Sequence, residues 1–174
     1  HTRTRILATA RHLFHGRSYA DVGVKEICDL AAVPKGSFYH FFPSKRDLAL
    51  AVIDDMASDW AHGFVAEAVD ATFPAADLPP LERLDYMVDA AYYWQKAAKD
   101  IEGRVRGCLF GNLALEISTR EEVLRAKLMA VFSATQRRFK DTLEEAVASG
   151  ALAPLDTDKT AAAMLAYLEG VIMR

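Results

Sequence analysis

The residues able to do chemistry gather in two short stretches. The first runs Lys35-Gly36-Ser37-Phe38-Tyr39-His40 and continues to Lys45. Lys35 and His40 can donate to phosphates or base edges, and the Ser37 and Tyr39 hydroxyls can reach phosphate oxygens. Gly36 lets a backbone come close to DNA. Lys45 stands at the start of an expected helix, where its ammonium and the helix amides both favour an anion such as phosphate. The second stretch, residues 107–116, is centred on Cys108. With Arg104 and Arg106 nearby and a helix starting beside it, this thiol is placed where the thiolate is favoured and an electrophile could react. The other reading is a structural cysteine at a close helix crossing, with Gly107 and Gly111 serving the packing.

Other constellations are weaker. His12 and His15 share a helix face, but no third ligand completes a metal set. Asp54, Asp55 and Asp59 read as a solvated face. The chain shows no glycine-rich phosphate loop, no nucleophile elbow and no convergent acid–base set. Neither a metal, a cofactor nor an enzyme activity is expected.

Helical periodicity is nearly continuous, which predicts an all-α chain. Ile6, Leu7, Ala10, Leu13 and Phe14 form one stripe that ends near Gly16. Val24, Ile27, Cys28 and Ala31 share a face of a short second helix with Gly23 as its cap. Pro34 is expected as the first residue of a very short third helix reaching Phe42-Pro43, with Phe38 and Phe42 facing inward. Two short helices joined by a tight turn are a helix-turn-helix. Ser44 with Asp47 resembles a capping box, opening a helix to about Ala71. Further helices are expected over Leu81–Lys99 with a break near Gly103, over Cys108–Ile117, from the Thr119/Glu122 capping box to Ser149, and from Thr157 onward. The long one carries the seam Leu124, Leu128, Val131, Thr135, Phe139, Leu143 and Val147. The last one is apolar on most sides, which calls for a second covering surface, and a partner subunit supplies one.

The net charge of −3 over 174 residues argues against nucleic acid until its distribution is considered. Residues 1–46 hold eight Lys/Arg against three acids, a net of +5, and residues 47–174 hold 13 against 21, a net of −8. A basic head on an acidic body suits a protein whose one end meets phosphate. Two cysteines outside any CxxC fit a reducing cytoplasm. No apolar run approaches the roughly 18 residues of a membrane span, and no signal peptide opens the sequence as given. The chain begins at His1 and stops at Arg174 within an apolar run, so further residues are expected at both ends.

The run Ile27-Cys28, Ala31-Ala32-Val33, Lys35-Gly36, Tyr39, Phe42 and Lys45 resembles the TetR-family signature I-A-x-x-A-G-V-x-K-G-x-x-Y-x-x-F-x-x-K. Three departures stand out. Ala32 replaces the turn glycine, at a cost on the order of 1 kcal/mol if that position takes positive φ. Cys28 replaces an alanine and packs as a small apolar residue. Val22-Gly23 replaces hydroxyl residues, so a phosphate contact is lost there. The resemblance implies a helix-turn-helix domain over 1–46 and an effector-binding and dimerisation domain over 47–174. It also implies a cytoplasmic homodimer, joined through its last two helices, that places two recognition helices on a palindromic operator. Such a protein is expected to act as a repressor. A small-molecule effector would release it by changing the spacing of the two heads, for which roughly 34–36 Å is the useful value.

In the body, Met87, Tyr92, Tyr93, Trp94, Phe110, Met129 and Phe132, with Cys108, are the candidate effector contacts, since aromatic walls suit a hydrophobic molecule. Core packing is the competing reading for each of them. Gly107-Cys108-x-x-Gly111-Asn112-Leu113-x-x-Glu116 further resembles a motif in a subset of the family that includes repressors sensing electrophiles or oxidants through this cysteine. The rival from another class is a helical interaction module that kept the scaffold and lost DNA.

Overall fold

The computed structural model describes residues 1–66, 78–103, 105, 107–117 and 121–172. Among these the chain forms eight helices and no strand: α1 (Thr2–Gly16), α2 (Val24–Leu30), α3 (Lys35–Phe41), α4 (Lys45–Ala66), α5 (Pro80–Glu102), α6 (Leu109–Ile117), α7 (Glu122–Ala148) and α8 (Thr157–Ile172). The expected end of α4 at Ala71 and the Thr119 cap of α7 lie outside the described residues. Two compact units result, one of residues 1–57 with 108–128 and one of residues 58–107 with 129–174.

In the first unit, α1 buries the whole predicted stripe of Ile6, Leu7, Ala10, Leu13 and Phe14. Each such side chain contributes roughly 1.5–3 kcal/mol when fully buried. Ile27 and Cys28 of α2 are buried against this layer, as are Phe38 of α3 and Phe42 just after it. Helix α3 has seven residues, too few to persist alone, so its position depends on this packing. Pro34 is its cap, so the helix starts one residue later than expected. Ser44 opens α4 as a capping box variant: the Asp47 N–H donates to Ser44 Oγ at 3.2 Å, and that hydroxyl donates to the Asp47 carboxylate at 2.6 Å. Leu48, Ala49, Val52, Ile53 and Met56 then face inward. Helix α6 buries Leu109, Phe110, Gly111, Leu113 and Ile117, and the first turns of α7 add Leu124 and Leu128.

The second unit holds α5, α8 and the remainder of α7. The α7 seam continues through Thr135, Phe139 and Leu143, all buried, while Val131 and Val147 are half-buried. The Thr135 and Thr142 hydroxyls donate to the carbonyls of Val131 and Arg138, four residues back, and so need no other partner. Helix α8 turns Ala161, Leu168 and Ile172 inward and leaves Ala162, Ala163, Ala166, Tyr167 and Val171 exposed in the single chain. No described helix is long and apolar enough to cross a membrane.

Candidate nucleic-acid interface

The turn between α2 and α3 fixes where α3 points. The Ala32 N–H donates to Asp29 O at 3.1 Å and the Val33 N–H to Cys28 O at 3.0 Å. This pair of bonds is a Schellman ending, which requires a left-handed residue after the cap. That residue is Ala32, at φ 50°, the one non-glycine with positive φ among the described residues. Helices α5 and α7 use Gly103 and Gly150 where φ turns positive. The turn glycine missing at position 32 is thus replaced without changing the turn, at about 1–2 kcal/mol of local strain. The α1 residue Arg5 reaches over this turn, donating from Nη2 to the carbonyls of Ala31 and, at 2.7 Å, Ala32.

Helix α3 presents the predicted face. Phe38 is fully buried and makes edge and tilted contacts with Tyr39 and Phe42, at centroid distances of 5.1 and 6.0 Å. Lys35, Gly36, Tyr39 and His40 are exposed, and Ser37 is half-buried. The Lys35 ammonium lies 5.9 Å over the Tyr39 ring. A side chain built at Gly36 would meet nothing in the chain within 4 Å. Glycine in a helix costs about 1 kcal/mol relative to alanine, so nothing inside this molecule rewards it there. Gly23, the cap of α2, is equally open and provides no side-chain cap bond, consistent with the loss of a hydroxyl at this position.

Lys45 is placed differently from the sequence expectation. Its ammonium points at the α1–α2 loop, donating to Tyr19 O at 2.8 Å, Val22 O at 3.0 Å and, more weakly, Ala20 O at 3.5 Å. It also sits 4.3 Å from the Tyr19 ring centroid. Burial pulls its pKa below the ordinary lysine value, with Glu116, Asp21 and Glu121 opposing. An ammonium has three protons, and carbonyls take them here.

The amide side of the same loop is held by a residue that sequence reasoning missed as a contact. Glu116 Oε1 accepts from Ser18 Oγ at 2.5 Å and Ala20 N at 2.6 Å, and Oε2 accepts from Tyr19 N at 2.7 Å. Burial raises the Glu116 pKa, but these three bonds and the Lys45 charge outweigh it and leave the carboxyl below its ordinary value. The Tyr19 phenol, buried and facing Glu121, Glu116 and Asp47, is pushed up to about 12 although Arg46 opposes. Glu116 lies 96 to 98 residues beyond its partners, so no local pattern could have announced the pairing.

Much of the basic charge in the head is engaged internally. Arg11 pairs with Asp55 at 3.1 Å, Arg17 with Glu26, and Lys25 with Asp29 at 2.7 Å. The Arg3 guanidinium stacks 5.3 Å over Phe42. Lys35 and Arg46 are exposed, as are Arg3, Arg5 and Lys25.

The expected effector contacts fall in both units. Cys108 and Phe110 belong to the first and are buried. Cys108 immediately precedes α6, and the Gly111 N–H points at its Sγ from 3.4 Å. Met87 and Phe132, in the second unit, are half-buried. Tyr92 and Tyr93 are 59% and 50% exposed, with edge-on rings 5.5 Å apart, and Met129 is 52% exposed. Helix α5 turns Leu84, Ala90 and Ala91 inward. The side chain of Trp94 lies outside the described residues, as do Arg104 and Arg106.

Comparison with known proteins agrees with this geometry. Residues 6–52 match the family described as bacterial regulatory proteins, tetR family, and residues 80–174 match the tetracyclin repressor-like C-terminal domain. The chain is 38% identical over 170 residues to the transcriptional regulator AcuR of Cereibacter sphaeroides, spanning 97% of this chain and 73% of that protein. It is 28% identical over 173 residues to the HTH-type transcriptional repressor DhaR of Mycobacterium sp. strain GP1, spanning 99% of this chain and 81% of that one. The crystal structure of regulatory protein TetR from Rhodobacter sphaeroides superposes with a TM-score of 0.81 at 34% identity, covering 98% of this chain and 86% of the other. A helix-turn-helix with an outward α3 face, and relatives matched along nearly the whole length, make this chain a member of the TetR family of transcriptional regulators.

Proposed function

We propose that this regulator is a repressor that binds a palindromic operator as a homodimer and leaves it when a small hydrophobic or electrophilic effector binds. Lys35, Gly36, Ser37, Tyr39 and His40 meet the DNA, and Lys45 serves by holding the α1–α2 loop rather than by gripping phosphate. The functional division falls at residues 46/47, and the protein works in the cytoplasm. The observation that carries the reading is Gly36: with no atom within 4 Å of a Cβ built there, it leaves the exposed backbone of the short α3 open to close approach from outside the chain. The exposed apolar side of α8 supports dimerisation through α7 and α8. The test is selection of bound genomic fragments with purified protein, followed by anisotropy across a salt series. A palindromic fragment whose affinity falls steeply with salt is the expected result. No enrichment over bulk DNA would move the chain to the interaction-module reading.

A second reading concerns release. In it the buried Cys108, whose Sγ faces the Gly111 N–H at the start of α6, is the group that electrophiles modify. Treatment with N-ethylmaleimide should then release operator from the wild type and not from Cys108→Ser. Equal release from both would leave Cys108 a packing residue.

A further inference from the structure

Arg5 belongs to the basic head, and its charge alone would class it with phosphate contacts. Its geometry says otherwise. One nitrogen, Nη2, donates to the carbonyls of Ala31 and Ala32, which belong to the two peptide links flanking Ala32, 26 and 27 residues away. Ala32 is the corner of the helix-turn-helix and stands in the left-handed region that L residues resist.

We infer that Arg5 is the positioning residue of the recognition helix: its guanidinium holds the Ala31–Ala32 carbonyls in the arrangement that glycine would adopt unaided, and so fixes the orientation of α3. The effect on DNA runs through the fraction of molecules whose turn is formed, since apparent affinity scales with that fraction. Charge alone does not suffice. The lysine side chain ends one bond short of Nη2, so its ammonium does not reach both carbonyls and Arg5→Lys should behave like Arg5→Ala. Ala32→Gly removes the need for the clamp, because glycine takes positive φ without strain.

The operator arm of the experiment rests on the DNA-binding reading, and the unfolding arm does not. In the first, the genomic fragment selected by the wild type and a mixed-sequence duplex of equal length are titrated across a salt series. Arg5→Lys and Arg5→Ala should each weaken the selected fragment by roughly tenfold to a hundredfold, the worth of one charge-assisted hydrogen bond. The salt slope should not change, and the mixed-sequence duplex should bind as before. Adding Ala32→Gly should restore most of the loss. A phosphate contact gives the opposite pattern: Arg5→Lys silent, Arg5→Ala lowering the slope by about one, and no rescue by glycine. That pattern overturns the inference. In the second arm, urea unfolding of the wild type, the two single variants and the double variant built from Arg5→Lys and Ala32→Gly needs no DNA. The factor by which Arg5→Lys lowers the folding constant should shrink at least twofold in the Ala32→Gly background. Equal factors in both backgrounds overturn the inference even if no operator is found.

Discussion

The carboxylate of Glu116 carries more of the head's stability than its place on a distant helix suggests, and Glu116→Gln tests this. Both oxygens are in use, Oε1 by Ser18 Oγ and the Ala20 N–H and Oε2 by the Tyr19 N–H. Glutamine keeps one acceptor oxygen. Whichever way the amide turns, its NH2 faces a backbone N–H that must then go unpaired or find water. The Ser18 hydroxyl can rotate and accept instead, so it loses little. Bonds to a charged group contribute about 1.5–3 kcal/mol and a stranded buried donor costs about 1–3 kcal/mol. The Ala20 bond is exposed and the Tyr19 bond partly buried, which places the loss near the lower end. We expect about 2 kcal/mol, a fall of roughly 4–8 °C in Tm for a chain of this size. Urea unfolding followed by circular dichroism, at fixed protein concentration, measures it.

The same grip fixes the pH dependence. The folded carboxyl titrates below its unfolded value of 4.5, so its contribution is fully present above that pH. It drains away as pH falls through the folded value. The difference between wild type and Glu116→Gln should therefore be constant from pH 6 upward and shrink on going below about pH 4.5. A difference under about 0.5 kcal/mol at pH 7, the usual scatter of surface substitutions, refutes the reasoning. So does one that grows in acid.

The other expected outcomes concern the recognition helix and its supports. Gly36→Ala should raise stability by about 0.5–1 kcal/mol, because the added methyl meets only open space, yet weaken the selected operator in the anisotropy assay. Unchanged operator affinity would remove the main support for close approach of DNA. Lys45→Gln should lower stability by roughly 1–3 kcal/mol by unpairing the Tyr19 and Val22 carbonyls, and should leave the salt slope of operator binding unchanged. A slope smaller by about one would return Lys45 to the phosphate contacts. Phe38→Ala should cost about 3–5 kcal/mol in urea unfolding, since the ring is fully buried and holds a helix too short to stand alone.

The helices were legible because periodicity and caps are local. Ile6, Leu7, Ala10, Leu13 and Phe14 are buried as their spacing requires, and Phe38 and Phe42 turn inward four residues apart. The turn was legible too, since a missing glycine at position 32 raised the question of positive φ that Ala32 answers at 50°. Side-chain engagement was not legible. Lys45 and Arg5 carry the charge that phosphate attracts, but carbonyls 23 to 27 residues away in sequence take their protons. The aromatic run at Tyr92 and Tyr93 did not show which side of α5 is buried, and that face is set by Leu84, Ala90 and Ala91. Residue type states what a side chain can bind, and only the fold states what reaches it first.

The departures from the family pattern and the long-range contacts are related for this reason. Ala32 breaks a local rule at the corner that aims α3, and the conformation survives because the surroundings over-determine it. Arg5 bonds the carbonyls of the corner, the Schellman pair closes it, and the Phe38–Phe42 pair anchors the helix beyond. The α1–α2 loop, whose length no periodicity sets, is likewise held on its amide side by Glu116 and on its carbonyl side by Lys45. Charged groups in this head therefore act largely on its own backbone. Arg11, Arg17 and Lys25 are ion-paired within the chain, while Lys35 and Arg46 are exposed. An operator salt slope well below the count of basic residues in the head is the consequence.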